Sequence, residues 1–76
     1  MKIDEEISAV EAKKISEKLV SLRQERNMSR KDFGKLFGID YVSVHQWENG
    51  RNIKGIVRFF EICRKLNVKP NYFFDD

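Results

Sequence analysis

The sequence predicts an all-α domain, a compact bundle of five helices with a helical extension at its N-terminus. Three observations predict it. Apolar residues recur at helical spacing in successive segments, and no segment reads as a strand. Ser or Asp stands before several of these segments and Gly after two of them, the order in which helices start and stop. Four Gly and one Pro leave few turns, and 41% hydrophobic against 36% charged residues suits a folded helical domain rather than a disordered tail.

The first helix is expected from about Ser8 to Arg26. Ser8 and Glu11 have the spacing of a capping box, and Ile15, Leu19 and Leu22 form a buried stripe. Ile3, Ile7 and Val10 are also helically spaced, but the step from Val10 to Ile15 breaks phase. Residues 1–14 are therefore expected to be an extension, a separate turn or a segment facing something else, and residues 15–74 the domain itself. The second helix starts at Ser29, with Asp32 following and Met28 and Phe33 placed to staple across the cap. Phe33, Leu36 and Phe37 supply its apolar face, and Gly38 ends it, since glycine takes the left-handed conformation without strain.

The device repeats at once. Asp40 caps a third helix, Ile39 and Val44 staple across it, Val44 and Trp47 face inward, and Gly50 stops it. Only Gly38, Ile39 and Asp40 join the two helices, so the second must cross the first steeply. A fourth helix is expected over Ile56 to Leu66. Ile56, Phe59, Phe60, Ile62, Cys63 and Leu66 make it nearly all apolar, a central strut. Pro70 suits the first position of a short fifth helix, with Tyr72, Phe73 and Phe74 behind it.

Length and charge narrow the function. A chain of 76 residues holds one small domain, too small for a catalytic domain with a lid and a sizeable pocket. No apolar run can span a membrane, and the acidic start, Met1 to Glu6, has no signal-peptide core. The single cysteine, Cys63, cannot pair internally and fits a reducing compartment, so a cytoplasmic location is expected. The net charge of +3 is unevenly spread: residues 1–12 sum to −3, residues 13–69 to +8 and residues 70–76 to −2. A basic middle between acidic ends hints at a nucleic-acid partner, although surface Lys and Arg commonly do no more than solvate a helix.

Residues from about 30 to 49 form a helix-turn-helix by spacing and side-chain type. Phe33, Phe37, Ile39, Val44 and Trp47 lie where the two helices must bury surface against each other. Gly34 sits mid-helix, where glycine costs about 1 kcal/mol relative to Ala, a cost that makes sense if the crossing helix touches the backbone there. Tyr41, Val42, His45 and Asn49 share one outer face of the third helix, and Gln46 falls beside it. Two short helices with a Gly turn also occur in bundles that bind nothing. Val42 argues the other way, because an apolar side chain on a polar face has no core to serve but can touch a thymine methyl.

From Ile15 to Phe74 the chain resembles the Cro/C1-type (XRE) helix-turn-helix family, the lambda-repressor-like domains that include phage repressors and restriction–modification controller proteins. The resemblance rests on Leu22-Arg23, Met28-Ser29-Arg30, Phe33-Gly34, Leu36-Phe37-Gly38-Ile39, Trp47-Glu48-Asn49-Gly50, Ile62-Cys63 and Leu66-Asn67-Val68, in order and without a gap. It implies a sequence-specific regulator, a repressor, reading a palindromic operator in double-stranded DNA with the third helix in the major groove. Tyr41, Val42 and Gln46 match base-reading positions, with His45 on the same face. Gln46 can pair with adenine or touch other base edges. Ser29, Arg30, Ser43, Asn49 and Arg51 match phosphate-contacting positions, and Asn52 and Lys54 lie in a loop that lines the backbone. Arg23 and Glu48 match a buried ion pair that joins the first helix to the third. The sequence departs from the family at Gly34, where Ala is usual, at Lys54-Gly55, where Pro-Ser is common, and at Asn67, where Gly is usual.

A symmetric homodimer is expected, because one module of this size buries little DNA surface. Its contact would use at least one of Tyr72, Phe73 and Phe74, which cannot all point into so small a core. His45 is the only His, so no metal site is expected. Cys63 should pack as a small hydrophobe. No nucleophile has a base and an oxyanion site, and no Gly-rich phosphate loop exists, so neither an enzyme nor a bound cofactor is expected. The alternative is a protein-interaction module, such as an antitoxin that holds a toxin, with Ile3 to Val10 as the segment that would serve it.

Overall fold

A computed structural model describes residues 7–53 and 55–74 of the chain, with the side chain of Ile56 left out. It contains α1 (Ala9–Glu25), α2 (Arg30–Lys35), α3 (Tyr41–Glu48) and α4 (Ile56–Leu66), followed by a 3-10 turn over Pro70–Phe73. Among the described residues there is no strand. The expected fifth helix is thus a single 3-10 turn. Pro70 opens it as expected, but four residues are too few to complete an α-helical hydrogen-bond ladder.

α1 begins where its capping box places it. Ser8 Oγ accepts from the Glu11 N–H at 3.2 Å, and Glu11 Oε1 accepts from the Ser8 N–H at 3.1 Å. Its buried stripe is Ala12, Ile15, Ser16, Leu19 and Leu22, all at three- or four-residue steps. The phase break seen in the sequence disappears, because Ala12 occupies the stripe and Val10 stands off it, exposed. Residues 9–14 are therefore the opening turns of α1, and Ile7 packs against the core. Ile3 and the rest of residues 1–6 lie outside the described residues. At the other end Asn27 takes the left-handed conformation, φ 55°, and the Met28 N–H bonds to the Arg23 carbonyl at 3.1 Å. That bond satisfies a carbonyl the helix would otherwise leave unpaired.

α2 and α3 pack on each other more closely than any other pair, with α1 against α3 and the 3-10 turn against both α1 and α4. The interior follows from the stripes. Phe33 and Phe37 of the α2 segment meet edge to face at 5.4 Å, and Phe37 meets Trp47 of α3 in the same way at 5.2 Å. Val44 of α3 is fully buried in the same core. Phe59, Ile62, Cys63 and Leu66 close the core from α4, and Ile53 plugs it from the loop.

α4 departs from the sequence reading at one position. Phe60 was expected inside but is 48% exposed, with Val57 beside it at 59%. Phe59, Ile62, Cys63 and Leu66 already fill the inward face, and Phe60 falls off it by helical spacing. α4 starts at Gly55 without a side-chain cap and ends at Asn67, which adopts φ 57°. Asn67 is thus an adequate substitute for glycine there. Arg26 donates to the Leu66 carbonyl at 2.7 Å, placing a cation on the last turn of α4 and tying it to α1.

The C-terminal aromatics do not form an outward patch. Phe73 is 1% exposed and meets Phe59 edge to face at 5.3 Å. Tyr72 and Phe74 are half-buried against the same core, with Lys18 over the Tyr72 ring at 4.9 Å. No helix among the described residues is long and apolar enough to cross a membrane.

Candidate nucleic-acid interface

The α2–turn–α3 unit is built around Gly34. A Cβ added there would sit 2.5 Å from the Ile39 carbonyl oxygen and 3.1 Å from Val44 Cγ2. The turn itself, more than the crossing helix, demands the glycine. Gly38 takes φ 69°, and the Ile39 N–H returns to the Gly34 carbonyl at 3.0 Å. Asp40 then starts α3 by accepting the Ser43 N–H at 2.8 Å. That bond, with a second from the Ser43 hydroxyl, holds the Asp40 carboxyl below its ordinary value of 3.8.

Braced this way, α3 has two unlike faces. Val44 and Trp47 are buried, and Arg58 of α4 lies over the Trp47 ring at 5.6 Å. On the outside, Tyr41 is 60% and Val42 47% exposed, and His45 is exposed beside them. Asn49, at the C-cap, donates to the His45 carbonyl at 2.8 Å and lies 3.3 Å from its Nε2. Ser43 and Gln46 are half-buried at the edges of this face. Gln46 is held twice from the loop behind it. Its main-chain carbonyl accepts the Arg51 N–H at 2.8 Å, and its side-chain Oε1 accepts from Asn52 Nδ2 at 2.6 Å.

Glu48 is the anchor on the inner side. Its side chain is 5% exposed, against 14% for Arg23. Arg23 Nε donates to Oε2 at 2.6 Å, Arg23 Nη2 to Oε1 at 3.4 Å, and Arg23 Nη1 to the Met28 carbonyl at 3.1 Å. The guanidinium fork therefore ties α1, the α1–α2 turn and α3 together. Arg30 adds a third member that the sequence reading missed: its Nε donates to Glu48 Oε1 at 2.9 Å. With the Nε edge turned to Glu48, a phosphate contact from Arg30 would fall to its terminal nitrogens. Ser29 caps α2 by accepting the Asp32 N–H at 3.1 Å, and Arg51 and Asn52 are exposed in the loop. Lys54 lies outside the described residues.

The structure thus gathers Tyr41, Val42, His45, Gln46 and Asn49 on and beside one side of α3. Between Ser29 and Asn52 there are four Lys or Arg and three acids, so most of the basic surplus lies outside this unit. The acids of this unit are nonetheless engaged: Glu48 by two arginines, Asp32 by Lys35 at 3.8 Å, and Asp40 by its own helix. The Asn52 contact had one sequence signal, an Asn soon after a helix-ending Gly, since Asn tolerates the left-handed conformation that residue 52 adopts at φ 62°.

Comparison with known proteins agrees with this geometry. A family model described as Helix-turn-helix matches residues 19–73. Two similar proteins come from Sinorhizobium fredii (strain NBRC 101917 / NGR234). The uncharacterized HTH-type transcriptional regulator y4wC is 33% identical over 62 residues, 82% of this chain and 43% of that protein. The uncharacterized HTH-type transcriptional regulator y4aM is 37% identical over 54 residues, 71% of this chain and 38% of that protein. The chain spans about four-tenths of the length of these relatives.

Proposed function

The chain belongs to the Cro/C1-type (XRE) helix-turn-helix family, and we propose that it is a sequence-specific DNA-binding transcriptional regulator, a repressor, that lays α3 in the major groove. One observation carries the reading: α3 buries Val44 and Trp47 while Tyr41, Val42 and His45 stand exposed on its other side. A short helix with a rigid back and an apolar, hydrogen-bonding front suits a groove whose base edges offer methyl groups, donors and acceptors. Tyr41, Val42, His45 and Gln46 read bases. Ser29, Arg30, Ser43, Asn49, Arg51, Asn52 and Lys54 line the phosphate side, where contacts set affinity and its salt sensitivity.

The protein acts as a homodimer on a palindromic site, its two α3 helices about 34 Å apart. The exposed Val57 and Phe60, three residues apart on α4, support a contact with a second copy. The competing reading, a module whose first task is to hold a protein such as a toxin, draws on the exposed Val10 of α1.

Titration with random duplex DNA at two salt concentrations separates the two. Binding that weakens steeply with salt supports the DNA reading, and absence of binding at low salt favours the protein partner. On a site selected from a random pool, Gln46→Ala should cost about 1–3 kcal/mol and relax sequence preference, while Arg30→Ala should weaken all sequences alike. Identical behaviour of the two variants would refute this division of roles.

A further inference from the structure

We infer that Asn52 sets the base preference of Gln46, turning it from a reader of adenine into a reader of guanine. The inference rests on the DNA reading above and adds to it a positioning residue and a base. A glutamine recognises adenine with both ends of its amide, accepting from the N6 amino group and donating to N7. Here one of the two lone pairs of the accepting end is already taken, and that bond holds the oxygen toward the loop. Asn52 Nδ2 donates to Gln46 Oε1 at 2.6 Å, short for a neutral amide pair.

The contact is held in place by the main chain. Gly50 adopts φ 75°, which lets the Arg51 N–H reach the Gln46 carbonyl at 2.8 Å. The next residue, Asn52, takes φ 62°, and Ile53 beyond it is buried in the core. The loop is thus fastened on both sides of Asn52, and both carbonyl groups of Gln46 are turned toward that loop. What Gln46 offers elsewhere is its N–H2 group, a donor only. The purine edge in the major groove that presents acceptors only is guanine, with N7 and O6, whereas adenine sets a donor beside its N7. Adenine could gain its second bond only from the remaining lone pair of an oxygen that Asn52 holds toward the loop.

The test is selection from a random duplex pool with the full chain, followed by binding to every single-base variant of the selected site. The site position read by Gln46 is the one whose preference Gln46→Ala abolishes. Guanine is expected there, favoured over adenine roughly tenfold. Asn52→Gly keeps the left-handed backbone and removes the donor, and should bring the guanine-to-adenine ratio close to one. Asn52→Asp leaves only acceptors, draws the Gln46 N–H2 toward itself, and should shift preference to bases that present an amino group. In a Gln46→Ala background neither change at residue 52 should alter base preference, although a general loss of affinity is allowed. Circular dichroism checks that each variant is folded.

Adenine at that position, an unchanged ratio in Asn52→Gly, or no position that depends on Gln46 would overturn the inference while leaving DNA binding intact. No duplex binding at low salt would sink the DNA reading, and this inference with it.

Discussion

Replacing Glu48 with Ala tests the central brace of the fold. Glu48 is 5% exposed and receives Arg23 through two nitrogens and Arg30 through one. Removing the carboxylate leaves Arg23, whose side chain is 14% exposed, with the Met28 carbonyl as its remaining partner among these contacts. A cation left inside without its counter-charge costs about 3–5 kcal/mol. The Met28 bond and the slight exposure of Arg23 put the expected loss at the low end, about 3 kcal/mol. A 76-residue domain has roughly 4–11 kcal/mol of stability in all, so the variant should keep about 1–8 kcal/mol and stay folded but clearly weakened. In thermal terms the loss is about 12–24 °C.

Urea and heat melts followed by circular dichroism measure it. Replacing the pair together, Arg23→Met with Glu48→Leu, should cost much less than Glu48→Ala alone, since no charge is then stranded. A loss below about 1 kcal/mol for Glu48→Ala, the size of an exposed ion pair, would refute the claim that this pair holds α1 to α3.

Three further outcomes are expected. Gly34→Ala gains about 1 kcal/mol of helix propensity, but its methyl would meet the Ile39 carbonyl at 2.5 Å. A net loss of stability in urea melts is therefore expected, and a more stable variant would contradict it. The Asp40 carboxyl is held below 3.8 by its bonds to Ser43. A depressed acid contributes fully above its unfolded value and loses that contribution as pH falls through the folded one. The stability gap between wild type and Asp40→Ala should thus persist from neutral pH to about 4 and close below it. A gap that closes near pH 6 would argue against the cap. Burial pushes the Cys63 thiol above 9.0, so a thiol reagent at neutral pH should label the folded protein slowly and the denatured protein at once. Equal rates would place Cys63 outside the core.

The helix starts were legible because they rest on local bonds. Ser8, Ser29 and Asp40 each cap the helix that follows, and Gly38 and Gly50 adopt the positive φ their positions imply. The inner faces of α1, α2 and α3 followed from helical spacing. The sequence misled where the answer depends on how much interior there is to fill. Val10 and Phe60 look like core residues by type, yet Ala12 and Phe59 hold the inward positions. Phe73 looked available for a partner, yet it closes the bundle against Phe59.

At the candidate interface, the exposure of Tyr41, Val42 and His45 could be read from spacing alone. The side-chain bonds from Arg30 to Glu48 and from Asn52 to Gln46 could not. They join residues 18 and 6 apart in the chain, and only the closed turns around Gly38 and Gly50 bring them together. The overall charge pointed toward nucleic acid but not to the site, because most of the basic surplus lies outside residues 29–52.

The claim on which the functional account rests is that the outer face of α3 meets base pairs. An amide and methyl NMR titration of the folded chain with its selected duplex tests this most directly. The account predicts the largest shift changes at Tyr41, Val42, His45 and Gln46, with smaller ones at Ser29, Arg30 and Arg51 and little change at Ile62 and Leu66. Changes centred on α1 or on Val57 and Phe60, with α3 silent, would contradict it.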